Sequence, residues 1–184
     1  MVQQKEMKTI AVLGTGIMGG PMASNLAKSG FAVHVWNRTR AKAEKLIPDG
    51  LGVYDTPQEA VKDTDAVLTV LKDAPTVLEA MNSAQENLSK DAIWIQMTTV
   101  GKKIDELIQF AEKHELTFFD APVQGTKAPA ESGELTVMPS GPSEYKEVLT
   151  PIFDVIGKKT IWVSEEAGKS SRLKLALNSW VFAL

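Results

Sequence analysis

Three glycines follow a short apolar run near the start of the chain, in the order Gly14, Gly16 and Gly19. The run KTIAVL before them is typical of a strand, and IMGGPMASNLAKSG after them is typical of a helix. In such a unit the first glycine permits the tight turn, the second lets a pyrophosphate approach the backbone, and the third lets helix and strand pack closely. The helix N-terminus adds amide donors for the phosphates. A structural turn would also contain glycines, but the second strand FAVHVW favours dinucleotide binding by Gly14, Thr15, Gly16, Ile17, Met18 and Gly19.

The end of the second predicted strand indicates which dinucleotide binds. A carboxylate is expected there in an NAD site, because it would bond the ribose 2′-hydroxyl. This chain instead has Asn37, Arg38 and Thr39, which offer a guanidinium and a hydroxyl to a 2′-phosphate, while Arg40 and Lys42 add positive charge. Solvated residues at a helix start would show the same pattern without a ligand. We expect NADP(H), with NAD(H) as the less favoured cofactor.

Hydride transfer to or from a nicotinamide needs a group that gives or takes a proton. The two histidines, His34 and His114, lie in a strand pattern and at a charged helix end, and neither has neighbouring catalytic residues. Neither Tyr54 nor Tyr145 has a lysine four residues later, which excludes a Tyr-x-x-x-Lys pair. The chain has no cysteine for a zinc site. A lysine or a carboxylate must therefore serve.

Lys174 is the best candidate for that group. It lies in an apolar helical pattern four residues before Asn178, so both side chains project from one face. Burial would lower the pKa of such a lysine and suit it to proton transfer. A lysine that only extends its ammonium into solvent, as we expect for Lys169, would fit the same spacing, and the spacing alone leaves both interpretations open.

A second candidate region is FFDAPVQGTKAPAESGELTVMPSG, residues 118–141. A predicted strand ends at Asp120, and a loop with Pro122 and Gly125 leads to a short helix at Thr126. Its backbone amides could hold a substrate carboxylate, with Lys127 nearby. A plain turn between two elements is the simpler interpretation from these residues alone.

Composition excludes several classes of function. The net charge of −3 over 184 residues, with no long basic run, argues against a nucleic-acid partner. No apolar segment approaches the length of a membrane span, and the amino terminus has no signal-peptide pattern. The absence of cysteine excludes disulfides and fits a cytoplasmic location. We expect no metal site and no membrane association.

Short β-branched runs alternate with helical patterns along the chain, which predicts an α/β fold with a doubly wound, mostly parallel sheet of the Rossmann type. The predicted strands lie near residues 8–13, 31–36, 51–54, 65–71, 92–97, 116–120, 135–138 and 159–163. The predicted helices lie near residues 17–29, 40–47, 57–62, 75–82, 102–114, 126–131 and 143–156.

The segment AGKSSRLKLALNSWVFAL is helical and apolar to the last residue, with no stop signal after Asn178. An apolar helix with an open end needs more protein to pack against. We therefore expect that the polypeptide continues or that the helix docks onto a partner chain. The predicted division is an NADP-binding domain over residues 1–165 and the start of an interdomain helix over residues 166–184.

Taken together, four segments resemble the β-hydroxyacid dehydrogenases, the family of 3-hydroxyisobutyrate dehydrogenase and glyoxylate/succinic semialdehyde reductase. GTGIMGGPMASNLAKSG looks like the family's cofactor loop, QMTTV like the segment beside the nicotinamide ribose, DAPVQGTKAPAESGEL like the substrate-binding signature, and GKSSRLKLALN like the catalytic helix. The resemblance covers the whole chain, and four motifs in the right order are far more specific than one.

The resemblance assigns a role to individual residues. Lys174 would be the general acid that protonates a carbonyl oxygen as hydride arrives from NADPH, and Asn178 would orient it or the substrate. The further contacts it implies are Leu71, Lys72 and Thr99 for the cofactor and Gln124, Gly125 and Thr126 for the substrate carboxylate. The reaction implied is reduction of a small aldehyde or keto acid to a hydroxy acid, or the reverse oxidation.

The chain departs from the family at three points. The family usually has serine where Gln124 stands, and Leu-Pro is common in it where Leu71 and Lys72 stand. It also continues into an all-helical second domain that closes over the substrate and often builds a dimer. We therefore expect a homo-oligomer for the full-length protein, and weak nucleotide binding with little turnover for residues 1–184 alone. The alternatives are an imine reductase of the same architecture, which usually lacks the lysine, and a nucleotide-binding module without turnover.

Overall fold

The computed structural model describes residues 6–182, with the side chains of residues 6–179. Six strands form a parallel sheet in the order β3-β2-β1-β4-β5-β6. They are β1 (Thr9–Leu13), β2 (Ala32–Trp36), β3 (Gly52–Val53), β4 (Ala66–Thr69), β5 (Ile93–Gln96) and β6 (Thr117–Asp120). This order is that of a doubly wound Rossmann-type sheet, so the predicted fold class is confirmed.

A second sheet of three strands, in the order β7-β8-β9, follows the large sheet along the chain. It contains β7 (Val123–Gln124), β8 (Leu135–Val137) and β9 (Gly157–Thr160), with β7 antiparallel and β9 parallel to β8. A loop was predicted where β7 lies, because a strand of two residues is too short to show the alternation of buried and exposed positions. It also began β9 two residues late, since Gly157 follows a helix directly.

The helices cover both faces of the large sheet. They are α1 (Gly19–Lys28), α2 (Arg40–Glu44), α3 (Pro57–Val61), α4 (Ala74–Ala84), α5 (Ile104–Lys113), α6 (Lys127–Glu131), α7 (Lys146–Ile156) and α8 (Lys169–Phe182). Helix α3 begins with a capping box, in which the side chains of Thr56 and Glu59 each bond the other's backbone N–H. Helix α2 is shorter than predicted and gives way to a 3-10 turn that contains Pro48.

Alternate residues of the central strand β1 enter two separate cores. Ile10 and Val12 pack on the face covered by α1 and α7, and Ala11 and Leu13 pack on the face covered by α4 and α5. All four are fully buried. A parallel strand covered on both faces must be apolar at every position, which explains the continuous run IAVL.

Helix α8 begins after Gly168, as predicted, and the structure describes it as far as Phe182. The rest of the predicted helical segment, residues 183–184, lies outside the described residues. A Cβ at position 168 would lie 2.7 Å from Cδ1 of Ile108, so the start of α8 packs closely on α5. Over residues 6–182, no helix has the length and hydropathy needed to cross a membrane.

Candidate nucleotide-binding and catalytic site

The loops that carry the predicted site follow the carboxyl ends of β1, β2, β4, β5 and β6. Because these strands are parallel, the loops lie along one edge of the sheet. The chain leaves β1 toward β2 on one side and returns to β4 on the other side, so the direction of strand order reverses between β1 and β4. Open α/β sheets bind ligands in the crevice outside such a switch point.

The three glycines of the first loop have different surroundings. Gly14 has φ of +108°, and a Cβ on it would lie 2.2 Å from the carbonyl oxygen of Val70. A Cβ on Gly19 would lie 1.9 Å from the carbonyl oxygen of Gly14. Gly16 is exposed, and a Cβ on it would meet no atom within 4 Å. The first and third glycines are therefore required by packing, whereas the second faces the open space where a pyrophosphate is expected.

The entry to α1 is suited to a phosphate. Its first turn has no acidic side chain, and Met18 at the N-cap accepts no side-chain hydrogen bond. The hydroxyl of Thr15 is buried and has no hydrogen-bond partner among residues 6–179. Ile17 is 69% exposed beside it. A helix N-terminus with uncapped amides and an unpartnered hydroxyl fits an anionic ligand.

Asn37 ties the second loop to the first. Its Oδ1 accepts a hydrogen bond of 3.0 Å from the backbone N–H of Thr15, and its Nδ2 donates one of 3.0 Å to the carbonyl oxygen of Thr39. Arg38 and Thr39 are exposed at the same edge. The structure thus brings the glycine loop together with the residues predicted to select the nucleotide.

The cations near this loop are not equivalent. Arg40 donates hydrogen bonds to the carboxylates of Glu44, at 2.8 Å, and Asp55, so its charge is offset. Arg38 makes no ion pair within the part of the chain that is described. The predicted addition of positive charge by Arg40 is therefore weakened by its two carboxylate partners, and Arg38 becomes the main candidate for a 2′-phosphate.

The loops after β4 and β5 are joined by Thr98, which the sequence analysis did not single out. Its hydroxyl accepts a bond of 2.9 Å from the backbone N–H of Leu71 and donates one of 3.2 Å to the carbonyl oxygen of Thr69. Thr98 is buried, whereas Thr99 and Lys72 are exposed. Thr99 and Lys72 are thus open to a ligand, and their contact with the cofactor stays a prediction.

The ammonium of Lys174 lies against the predicted substrate loop. Its Nζ donates a hydrogen bond of 2.9 Å to the carbonyl oxygen of Val123, and the side chain is half-buried. Burial lowers the pKa of Lys174 below the ordinary lysine value. Asn178, also half-buried, follows one helical turn later. Lys174 is therefore held at the carboxyl edge of the sheet rather than extended into solvent.

The residues predicted to hold the substrate carboxylate follow Val123 directly. Gln124, Gly125 and Thr126 are all exposed, and Thr126 is the N-cap of α6 with no side-chain capping bond. Gln124 belongs to β7 and pairs with Thr136 of β8. The three residues thus form an open segment next to Lys174, and their role as a carboxylate site stays a prediction.

Asp120 is a buried acid that the sequence analysis placed at a strand end without a role. Its carboxylate is fully buried and accepts bonds of 2.7 Å and 2.8 Å from the backbone N–H and the hydroxyl of Ser171. Burial raises the pKa of Asp120 to about 6, against the opposing effect of these bonds and of the charge of Arg172. In the sequence, the one sign of this buried acid is its place at the end of the mostly apolar run TFFD.

Acidic and histidine side chains of the described residues form no group of three or more that could hold a metal ion. What the edge of the sheet offers instead is an open glycine loop, an exposed guanidinium and a half-buried ammonium. The glycine loop and the guanidinium are suited to an anionic dinucleotide, and the ammonium is suited to donating a proton.

Comparison with known proteins agrees with this geometry. Residues 9–164 match the family model described as the NAD-binding domain of 6-phosphogluconate dehydrogenase. Glyoxylate/succinic semialdehyde reductase 1 of Arabidopsis thaliana is 34% identical over 176 residues, which are 92% of this chain and 60% of that protein. The chain thus spans about three-fifths of the length of this relative.

Two solved structures have the same fold. Mycobacterium tuberculosis 3-hydroxyisobutyrate dehydrogenase with L-serine superposes with a TM-score of 0.89 at 27% identity, covering 96% of this chain and 60% of that one. The imine reductase from Myxococcus stipitatus in complex with NADP+ superposes with a TM-score of 0.88 at 27% identity, covering 95% and 61%. The resemblance to the β-hydroxyacid dehydrogenases is confirmed, and the chain belongs to the family of the NAD-binding domain of 6-phosphogluconate dehydrogenase.

Proposed function

We propose that the chain is the nucleotide-binding part of an NADPH-dependent reductase that converts a small aldehyde or keto acid into a hydroxy acid. The observation that carries the proposal is the half-buried ammonium of Lys174, bonded to Val123 at the edge of the sheet that also holds the glycine loop. The similarity to a glyoxylate/succinic semialdehyde reductase and to a 3-hydroxyisobutyrate dehydrogenase supports this substrate class.

The preference for NADPH over NADH rests on the second loop. The amide of Asn37 carries no charge to repel a 2′-phosphate, and Arg38 is exposed beside it without an ion pair to described residues. The NADP+ complex of the Myxococcus stipitatus imine reductase is consistent with such a cofactor.

A bound nicotinamide dinucleotide supplies the hydride. The Thr15 hydroxyl, the open face of Gly16 and the amides of α1 would hold its pyrophosphate. Lys174 would donate a proton from its ammonium to the carbonyl oxygen of the substrate, and its lowered pKa makes that proton easier to release. The bond to Val123 directs the ammonium toward the loop where Gln124, Gly125 and Thr126 would bind the substrate carboxylate. The same groups would act in the reverse order in an oxidation.

The resemblance also supports an arrangement of the whole protein. We propose that residues 1–165 form the cofactor domain and that α8 leads into a second domain that completes the substrate site and an oligomer interface. A protein without cysteine over 184 residues fits the reducing cytoplasm.

A second candidate is an imine reductase, favoured by the similarity to the Myxococcus stipitatus enzyme. Lys174 favours the first proposal, because imine reductases of this architecture usually lack the lysine. A module that binds nucleotide without turnover is the third alternative, since fold alone does not establish function.

The test is a steady-state assay of the full-length protein with NADPH and a panel of glyoxylate, succinic semialdehyde and a cyclic imine. Lys174→Ala should lower kcat for the aldehydes by about 10²- to 10⁴-fold and leave the KM for NADPH unchanged, because it removes the proton donor. Lys169→Ala is the matched control, since Lys169 lies on the same helix and pairs with Glu166 at 3.2 Å. Full activity of Lys174→Ala would remove this lysine from the mechanism, and turnover of the imine alone would favour the second candidate.

A further inference from the structure

One short segment, residues 120–123, holds helix α8 at two points. The Asp120 carboxylate accepts two hydrogen bonds from Ser171, and the Val123 carbonyl accepts one from the ammonium of Lys174. The two acceptor residues are three positions apart in the chain, and so are the two donor residues, Ser171 and Lys174. Residues at this spacing share a helix face, so α8 presents one face to this segment.

Two backbone donors in the first turn of α8 are satisfied by other elements. The N–H of Ser170 donates to the hydroxyl of Ser140 at 3.2 Å, and the N–H of Ser171 donates to Asp120 at 2.7 Å. Ser140 is itself paired with Asp120 through two backbone bonds of 2.8 Å and 3.0 Å. Helices lose part of their first-turn stability without such caps, and here the caps also set where the helix begins.

We propose that Asp120 is a positioning residue for the reduction: by holding Ser171 it sets the rotation and depth of α8, so that the Lys174 ammonium stays on the Val123 carbonyl. The inference rests on the proposed role of Lys174. Asp120 itself is fully buried and has no contact with solvent.

The charges around Asp120 agree with a fixed carboxylate at this point. The partial positive charge of the α8 N-terminus favours the ionised form. Arg172 is the charged side chain that acts on it from α8, and it is ion-paired at 2.6 Å with Asp105 of α5. The pKa of Asp120, raised by burial to about 6, still leaves the group mostly ionised at neutral pH, so both bonds to Ser171 persist there.

A matched pair of serines separates positioning from folding. Ser171→Ala removes a hydroxyl bonded to Asp120, while Ser170→Ala removes a hydroxyl that is equally buried but has no hydrogen-bond partner among the described residues. Both changes delete one oxygen from neighbouring positions on the same helix. Asp120→Asn is the conservative third variant, because its amide can both accept from and donate to Ser171.

The measurement is the titration of the Lys174 ammonium by NMR of the full-length protein with labelled lysine, with Lys174→Arg to assign the signal. Ser171→Ala should raise the pKa of Lys174 toward its ordinary value, because a looser helix lets water reach the ammonium. It should also lower kcat by about 10- to 100-fold, the effect of a misplacement near 1 Å, without changing the KM for NADPH. Ser170→Ala should match the wild type, and Asp120→Asn should stay closer to the wild type than Asp120→Ala.

The inference is overturned if Ser171→Ala and Ser170→Ala give the same Lys174 titration, even where the first lowers the melting temperature. An inactive wild-type protein would refute the proposed function instead. In that event a shifted Lys174 titration in Ser171→Ala alone would still support the positioning role.

Discussion

Replacing Asp120 by asparagine should change how the stability of the protein depends on pH. The carboxylate is fully buried, and burial raises its pKa from the ordinary value of 3.8 to about 6. The native protein therefore binds this proton more tightly than the unfolded chain does. The resulting contribution to stability is fully present below pH 3.8 and is lost as the pH rises through about 6.

The size of the effect follows from the two pKa values. Their difference corresponds to about 3 kcal/mol in the free energy of unfolding. About 2 kcal/mol of this falls between roughly pH 4.5 and pH 7.5, the range in which the measurement is practical. Asp120→Asn removes the titration and nearly retains the shape of the side chain. The variant should therefore gain about 2 kcal/mol relative to the wild type as the pH rises across this range.

Urea unfolding followed by tryptophan fluorescence provides the assay, since Trp94 is almost fully buried and reports on the core. Subtracting the wild type from the variant at each pH cancels the titration of all other groups. Asp91→Asn is the control, because Asp91 is exposed and has no hydrogen bond to any described residue. A constant difference between Asp120→Asn and the wild type would refute the reasoning. A difference of opposite slope would show that the bonds from Ser171 outweigh the cost of burial.

Two further predictions concern the nucleotide. Arg38→Ala should weaken NADPH binding by about 10-fold or more while leaving NADH binding unchanged, because one charge-assisted contact is lost. Fluorescence titration of both nucleotides, with Lys45→Ala as the control, measures this change. Equal losses of affinity for the two nucleotides would contradict the prediction. Gly16→Ala should keep the wild-type melting temperature yet bind either nucleotide poorly, since its Cβ meets no protein atom within 4 Å. Gly19→Ala, by contrast, should unfold at a lower temperature, because its Cβ would overlap the carbonyl oxygen of Gly14.

Much of the fold could be predicted because its signals are local. The glycine loop, the helix that follows it and the six strands of the parallel sheet each leave a pattern within a few residues. Lys174 was singled out from its spacing to Asn178 and from the lack of another proton donor, but this spacing fitted a solvated lysine equally well, and its role stays a prediction. These features needed no knowledge of which distant segments meet.

What the sequence did not reveal depends on contacts between distant positions. The Asp120 carboxylate bonds a serine 51 residues later, and the acid at the end of the run TFFD does not indicate which distant residue it bonds. The ion pair between Arg40 and Asp55 joins positions 15 residues apart and changes which arginine is free for a phosphate. Strand β7 is visible only as a partner of β8. Such pairings arise from tertiary packing, which a local pattern does not encode.

The side chain of Asn37, which we propose to face the nucleotide, also joins two loops. One amide both receives the Thr15 N–H and donates to the Thr39 carbonyl, so it uses its acceptor and its donor at once. An aspartate at this position could still receive the Thr15 N–H, but it would lose the bond to the Thr39 carbonyl, which would keep the N–H of Lys42, and it would add a charge that disfavours a 2′-phosphate. A change at this one position would therefore alter the charge at the end of β2 and the hydrogen bonding of two loops at the same time.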